Sequence, residues 1–236
     1  MLSESYRPST LSELIGHDDA KGALTDYLKA NPRSKAVLVC GTPGIGKTTL
    51  VLAAARTLGY EPLEINASRS MRSHDDVTRL VDSCRSVVSF TSILKHEPTR
   101  KTCVILDEVD GSDPHAQRKL LDWIKDPDRR VPVLCTANEI PVIFKRAVAN
   151  VLIQRCMPMN AVMLYSALQH HTDMTYPEFQ GLVKDCQFDV RRIMHRLQYG
   201  RSDKAKTVTL TGDVISDLFR HEETFYKSTP IAPHLV

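Results

Sequence analysis

Short apolar runs alternate with longer stretches of helical periodicity through the first 155 residues, a pattern that predicts a parallel sheet covered by helices. Five runs read as strands: Ala36 to Cys40, Leu63 to Asn66, Thr102 to Leu106, Val131 to Thr136 and Val151 to Arg155. Pro132 suits the fourth only at its first position, because proline donates nothing to a ladder. Helices are predicted over Thr48 to Leu58, His74 to Val88 and His115 to Ile124. In the second of these Val77, Leu80, Val81, Cys84 and Val88 recur at helical spacing, with Ser73 as N-cap and Asp75 and Asp76 in the first turn.

After about residue 157 the strand signal stops. Ala161 to Gln169, Tyr176 to Cys186 and Val190 to Leu197 then predict a small all-helical unit, followed by a polar linker from Tyr199 to Lys204. Gly212 to Arg220 reads as one more helix, and the chain ends in Ser228 to Pro233 without a capping signal, as a cut or an extension awaiting a partner segment would. The expected division is therefore an α/β domain over 1–157, a helical domain over 158–200 and a linker with the start of a further region over 201–236.

Composition narrows the class without naming a function. The 236 residues are 42% apolar and 25% charged with a formal charge of +3, so a sizeable core is affordable and disorder is excluded. No apolar run approaches the roughly 20 residues of a membrane span. An early acid at Glu4 and the lack of an apolar stretch argue against a secretory leader, so an intracellular, non-membrane protein is expected. Six cysteines (Cys40, Cys84, Cys103, Cys135, Cys156, Cys186) form no C-x-x-C pair and read as small buried residues. His170 and His171, as neighbours, point apart and read as surface residues rather than metal ligands.

The chemistry lies at the strand ends. Gly41-Thr42-Pro43-Gly44-Ile45-Gly46-Lys47-Thr48 fits G-x-x-x-x-G-K-[ST] between an apolar strand and a helix, with Thr49 next in line. Glycines permit the tight turn that aims backbone N–H groups at a β-phosphate, and the helix presents its positive end to the same charge. Lys47 is expected on β- and γ-phosphate oxygens and the Thr48 hydroxyl on Mg²⁺. The strand Thr102 to Leu106 runs into Asp107 and Glu108, which an open α/β sheet delivers beside that loop. Asp107 is expected to hold Mg²⁺ through its water shell and Glu108 to polarise the attacking water, so hydrolysis rather than mere binding is implied. A solvated acidic turn of Glu108, Asp110 and Asp113 is the plainer alternative. Asn138 closes the fourth strand, either as a turn residue or to orient water and read the γ-phosphate. In Asp189-Val190-Arg191-Arg192 an arginine opens a helix from which it reaches the phosphates if the helical unit folds back over them.

Taken in order, Tyr6-Arg7-Pro8, Leu14-Ile15-Gly16, the phosphate loop, Asn66-Ala67-Ser68, Asp107-Glu108-Val109-Asp110-Gly111, Thr136-Ala137-Asn138 and Asp189-Val190-Arg191-Arg192 resemble the AAA+ clamp-loader subunits over nearly the whole chain. Within that group the D-E-V-D-G form and the stretch from Asp217 to Pro233 resemble the large subunit of replication factor C. The resemblance implies a P-loop AAA+ fold, a five-stranded parallel sheet flanked by helices and followed by a small all-helical lid. It also implies an ATPase that, with small clamp-loader subunits in a hetero-oligomeric spiral, places a sliding clamp on primer-template DNA during replication. ATP and Mg²⁺ are the implied cofactors; the implied location is the nucleus in a eukaryote, or a viral replication compartment.

By position, Tyr6, Arg7, Pro8, Ile15 and Gly16 would surround adenine and ribose, Asn138 would be sensor 1 and Arg191 sensor 2. The sequence also departs from the pattern. The S-R-C of small subunits is matched only by Gln154-Arg155-Cys156, offset toward a strand, which leaves Arg155 unassigned as a finger into a neighbour's site. Phe188 replaces a glycine and Arg69 an acid, and the collar domain of large subunits is not reached.

Between Arg69 and Lys101 seven basic residues face four acids, either as a solvated helix face or tracking DNA phosphates. The resemblance points to Arg72 and Arg79, then Arg118, for the DNA. Phe90, Ile93 and Leu94 serve equally as a clamp anchor or as core. Two other functions share the ATP motifs: a related AAA+ DNA machine, such as a checkpoint-type loader or branch-migration motor, and a subunit that binds ATP as structural glue without hydrolysing it.

Overall fold

The computed structural model of the chain describes residues 7–30, 35–70 and 101–199. Helix α1 (Asp18–Ala30) is followed by β1 (Ala36–Cys40), α2 (Lys47–Thr57), β2 (Tyr60–Asn66) and a single turn, α3 (Ala67–Ser70). Then come β3 (Lys101–Asp107), α4 (Pro114–Lys125), β4 (Val133–Ala137), the short α5 (Val142–Lys145) and β5 (Val151–Arg155). Three helices close the described chain: α6 (Ala161–Leu168), α7 (Tyr176–Asp185) and α8 (Val190–Tyr199).

The strands form one parallel five-stranded sheet in the order β2-β3-β4-β1-β5. Alternation of side chains across the pleat sorts its residues onto two faces. Ala36 and Leu38 of β1 join Val104, Leu106, Val133 and Cys135 in one core under α4. Val37 and Val39 join Cys103, Ile105 and Leu134 in the other, covered by α1 and α2. Both faces being covered is why these strands read as unbroken apolar runs rather than as alternation. No helix among the described residues is long and apolar enough to cross a membrane.

Register brings the functional ends together. Asn66 lies opposite Asp107, Leu106 opposite Cys135, and Cys40 has Ala137 on one side and Arg155 on the other. The carboxyl ends of β2, β3, β4, β1 and β5 therefore converge on the loop that leaves β1 at Gly41.

At the opposite end of the sheet a buried arginine satisfies carbonyls just ahead of β1 and β4. The Arg129 guanidinium donates to the carbonyls of Val131 and Lys35, its Nε reaches Ile124 O at 3.4 Å, and its carbon lies 6.0 Å from the Trp123 ring centroid. Tyr27 adds a hydroxyl that donates to Lys35 O at 2.9 Å and accepts from Val133 N at 3.1 Å.

Several boundaries differ from the sequence expectation. β2 starts at Tyr60 rather than Leu63, because Pro62 is tolerated on an edge strand. β4 starts at Val133 rather than Val131; Pro132 stays outside, and its carbonyl accepts from Val104 N at 3.0 Å. Helix α1 and the one-turn helices α3 and α5 were not expected. α6 gives way at Gln169 to a 3₁₀ turn carrying the exposed His170 and His171, and no metal-holding cluster of three His, Cys, Asp or Glu side chains occurs among the described residues. Tyr199, expected in a linker, is the last residue of α8. The helix expected over 74–88, the segment with Phe90, Ile93 and Leu94, and the helix expected over 212–220 lie outside the described residues.

Helices α6 to α8 enclose their own core of Leu164, Phe179, Leu182, Val183, Cys186 and Ile193. Tyr165 packs edge-on against Phe179 and Tyr176 with centroids 5.3 and 5.4 Å away. Each helix start carries a satisfied cap. Asn160 Oδ1 accepts from Met163 N at 2.8 Å, Glu178 reaches back to Thr175 N at 2.8 Å, and Asp189 Oδ1 accepts from Arg192 N at 3.0 Å.

Candidate active site

The loop from Gly41 to Gly46 turns β1 into α2. Gly44 and Gly46 take φ of 74° and 97°, conformations costly for any residue with a Cβ. No side chain caps α2, so its first N–H groups are left to the loop. Lys47, only 8% exposed, folds back over the turn. Its ammonium donates to Gly41 O at 2.9 Å, Thr42 O at 2.8 Å and Asn138 Oδ1 at 2.9 Å. Burial pulls its pKa below the ordinary lysine range, and the charges of Asp110 and Asp107 partly oppose that.

Asp107 ends β3 directly across from this lysine's helix. Thr48 Oγ1 donates to Asp107 Oδ1 at 2.9 Å, and the Thr136 hydroxyl donates to the same oxygen. A hydroxyl and a carboxylate in contact are a hard-oxygen pair of the kind that holds Mg²⁺ together with substrate phosphates, so these residues fit that ion.

Glu108 follows with φ of 56°, a left-handed turn that throws its carboxylate sideways toward β2. There Oε2 accepts from Asn66 Nδ2 at 3.2 Å and lies 3.2 Å from Ser68 Oγ, while Glu108 N donates to Thr136 Oγ1 at 3.2 Å. Asp110 Oδ2 accepts from Asn138 N at 3.0 Å and Glu139 N at 3.3 Å, and its Oδ1 is buried without a partner. Asp110 thus holds the backbone of the residue whose side chain meets Lys47. The plain acidic turn does not describe this segment, since each acid has a separate partner. Asp113 caps α4 by accepting from His115 N at 2.7 Å.

The helical unit touches the same loop. Val190 N donates to Gly44 O at 3.0 Å, and a Cβ on Gly44 would fall 2.1 Å from the Asp189 carboxyl. Arg191, exposed, stands one position beyond that contact. Gly16 is buried, with Met159 and Met163 of the helical unit 3.1 and 3.6 Å from where its Cβ would be; Ile15 beside it is 44% exposed.

Thus the structure brings together Thr42, Pro43, Gly44, Ile45, Gly46, Lys47, Thr48, Thr49, Asp107, Glu108 and Asn138, while Arg191 follows the Val190 contact with the loop and is exposed. Arg7 and Pro8 are described at the start of the chain, while Tyr6, Arg72 and Arg79 lie outside the described residues. Arg155 pairs in register with Cys40 at the chain's own phosphate loop. Arg118 is elsewhere, lining a cleft of about 330 Å³ with Lys125, Arg146, Leu121 and Ile143 that shares no residue with the loop. Thr136, Asn66, Ser68, Asp110 and His17 had no assigned role in the sequence. The first four stand in the motif stretches quoted above, but their contacts follow from the strand register that sets β2 and β4 beside β3.

The comparisons fit this geometry. The family described as "ATPase family associated with various cellular activities (AAA)" matches residues 37–158. Among curated relatives, the replication factor C large subunit of Methanococcus aeolicus is 33% identical over 159 residues, covering 63% of this chain and 31% of that protein. The corresponding subunit of Sulfurisphaera tokodaii is 36% identical over 140 residues (57% and 30%), and that of Pyrococcus abyssi 30% identical over 231 (92% and 46%). The chain spans less than half the length of these relatives. Among solved structures, the RuvB Holliday junction branch migration motor of Thermotoga maritima superposes with a TM-score of 0.61 at 17% identity, covering 82% of this chain and 64% of that one. At that identity the likeness shows the fold alone.

Proposed function

The chain belongs to the AAA ATPase family, and from that premise we propose that it is an ATP-binding and ATP-hydrolysing subunit of a DNA sliding-clamp loader, similar to the large subunit of replication factor C. The observation that carries the ATPase reading is the pairing of Lys47 with Asn138 and of Thr48 with Asp107, two contacts of 2.9 Å at the convergent strand ends. The three curated relatives above, each named replication factor C large subunit, support the clamp-loader assignment.

Each residue then has one task. Lys47 exchanges loop carbonyls for β- and γ-phosphate oxygens, while backbone N–H groups of Gly44 to Thr49 surround the β-phosphate. Thr48 and Asp107 would hold Mg²⁺, which would supply positive charge against the negative charge that develops during phosphoryl transfer. Glu108, once released by Asn66 and Ser68, accepts a proton from the attacking water. Asn138 fixes Lys47 and faces the γ-phosphate, and Arg191 reaches the phosphates from the helical lid, placed at 158–200. Tyr6, Arg7, Pro8, Ile15 and Gly16 wall the adenosine. Arg118, with Lys125 and Arg146 in the same cleft, contacts DNA phosphates, as Arg72 and Arg79 do. The partners are small clamp-loader subunits, the clamp and primer-template DNA, inside the cell.

Reconstitution with candidate small subunits tests this reading by an ATPase assay with and without the cognate clamp and primer-template DNA. Turnover is expected to rise when both are added, since a neighbour's arginine in related NTPases contributes about 10³ or more. Turnover indifferent to the clamp but stimulated by branched DNA would reassign the chain to the branch-migration class.

A further inference from the structure

We infer that His17 and the backbone N–H of Val190 are positioning groups that hold the phosphate loop in its anion-ready shape from outside. The inference rests on the nucleotide reading of that same loop and adds two residues to it. His17 Nε2 lies 2.9 Å from Ile45 O; a carbonyl only accepts, so Nε2 carries the hydrogen. Val190 N donates to the preceding loop carbonyl, Gly44 O, at 3.0 Å. Two successive carbonyls on the crest of the loop are thus gripped by two different parts of the fold, the N-terminal segment and the helical unit.

Peptide planarity turns these outward contacts into inward ones. In a trans peptide the C=O of one residue and the N–H of the next point in opposite directions, and the described residues include no cis peptide. Fixing Gly44 O toward α8 aims the Ile45 N–H away from it, and fixing Ile45 O toward His17 aims the Gly46 N–H away from the imidazole. Neither N–H makes a hydrogen bond among the described residues. They are two free donors whose directions are set before any ligand arrives, and such preorganisation is what an anion-binding turn requires.

The backbone of His17 supports a selected role. Its φ is 58°, directly after Gly16 at 71°, and two left-handed residues in succession swing the imidazole back over the loop. A non-glycine residue in that region is uncommon and is held there by its surroundings. Lys21 N donates to His17 O at 2.9 Å, which joins the turn to the first turn of α1. Because Val190 begins α8, a shift of the helical unit breaks one of the two grips, so the lid's position is felt by the donors that meet the phosphates.

Three substitutions in the full chain test this, read by calorimetric titration with ATP, ADP and adenosine in Mg²⁺ and by thermal unfolding without nucleotide. His17→Leu keeps bulk and removes the donor; His17→Gln restores an N–H at similar reach. Val190→Pro deletes the other N–H at the first helical position, where proline is favoured. His17→Leu and Val190→Pro are each expected to weaken ATP and ADP binding about five- to tenfold, the worth of one hydrogen bond, with adenosine unaffected. His17→Gln is expected to stay within about threefold of the parent.

ATP affinity of His17→Leu equal to the parent's, or of His17→Gln as low as His17→Leu's, overturns the role of His17. If His17→Leu unfolds, Val190→Pro decides alone, and unchanged ATP affinity there overturns the inference. A parent chain that binds no ATP overturns the nucleotide reading itself, and the inference with it.

Discussion

The Glu108 carboxylate, assigned to water activation, is spent in this structure on Asn66 Nδ2 and Ser68 Oγ, each 3.2 Å away. Asn66 does two jobs at once. Its amide nitrogen restrains Glu108, while its Oδ1 accepts from Ser68 Oγ at 2.6 Å and Arg69 N at 3.0 Å, starting α3. Asn66→Asp separates them, because it keeps the acceptor and replaces the donor with a second negative charge. The expected result is a resting ATPase rate about fivefold above the parent's, from about 1 kcal/mol of lost restraint, with unchanged thermal stability. A rate at or below the parent's would show that the contact does not hold Glu108 back. Nothing in the sequence beyond the N-A-S triplet marks this pair, since it depends on β2 lying beside β3 with Asn66 opposite Asp107. Asp110 was legible as an acid but not as the support for Asn138, for the same reason. The phosphate-loop residues were legible because their chemistry is local: one turn between one strand and one helix.

At the scale of elements, the strands buried on both faces stand out as apolar runs, and β1 and β5 have the expected limits. β2 was shortened by Glu61 and Pro62, breakers in a central strand but harmless on an edge. Helix α1 carries the right stripe in Ala20, Leu24, Tyr27 and Leu28, yet Gly22 and a start from the left-handed His17 in place of a capping side chain conceal it. One-turn helices such as α3 and α5 are too short for any period to show. Strand burial also sets cysteine chemistry. Burial pushes the Cys135 thiol up to about 12 from its ordinary 9.0 and the Cys156 thiol to about 11, and raises Cys103 further still. In the native chain at pH 8, iodoacetamide is therefore expected to leave Cys103 and Cys135 unlabelled until denaturant is added, as read by peptide mass spectrometry. The same shifts fix the sign of an alkaline effect. Below pH about 9 the thiols are neutral whether folded or unfolded, and above it only the unfolded chain ionises, so the melting temperature should fall as pH rises from about 9 toward 12. Labelling of Cys135 in the folded state, or a melting temperature that climbs in that window, would contradict the burial of β3 and β4.

On the scale of the whole molecule, the sheet, α2 and the helical unit meet at a single turn, Gly41 to Gly46. Gly44 is central to that meeting, because Val190 N grips its carbonyl and the Asp189 carboxyl occupies the space of a side chain. A ligand held at this turn that favours one placement of the helical unit over another would shift the balance between them. The α/β order and the following helices were legible as periodicity; the docking of α8 on the loop was not, since it joins Gly44 to Val190 across a long stretch of chain. Everything proposed for the assembly depends on a triphosphate being held at that turn. Equilibrium binding of ATP in Mg²⁺ to the parent chain and to Lys47→Ala, both confirmed folded by circular dichroism, tests this most directly. Saturable binding by the parent and a loss of about a hundredfold or more in Lys47→Ala is the predicted result, the worth of one or two charge-assisted hydrogen bonds. Equal binding by the two proteins would contradict the account.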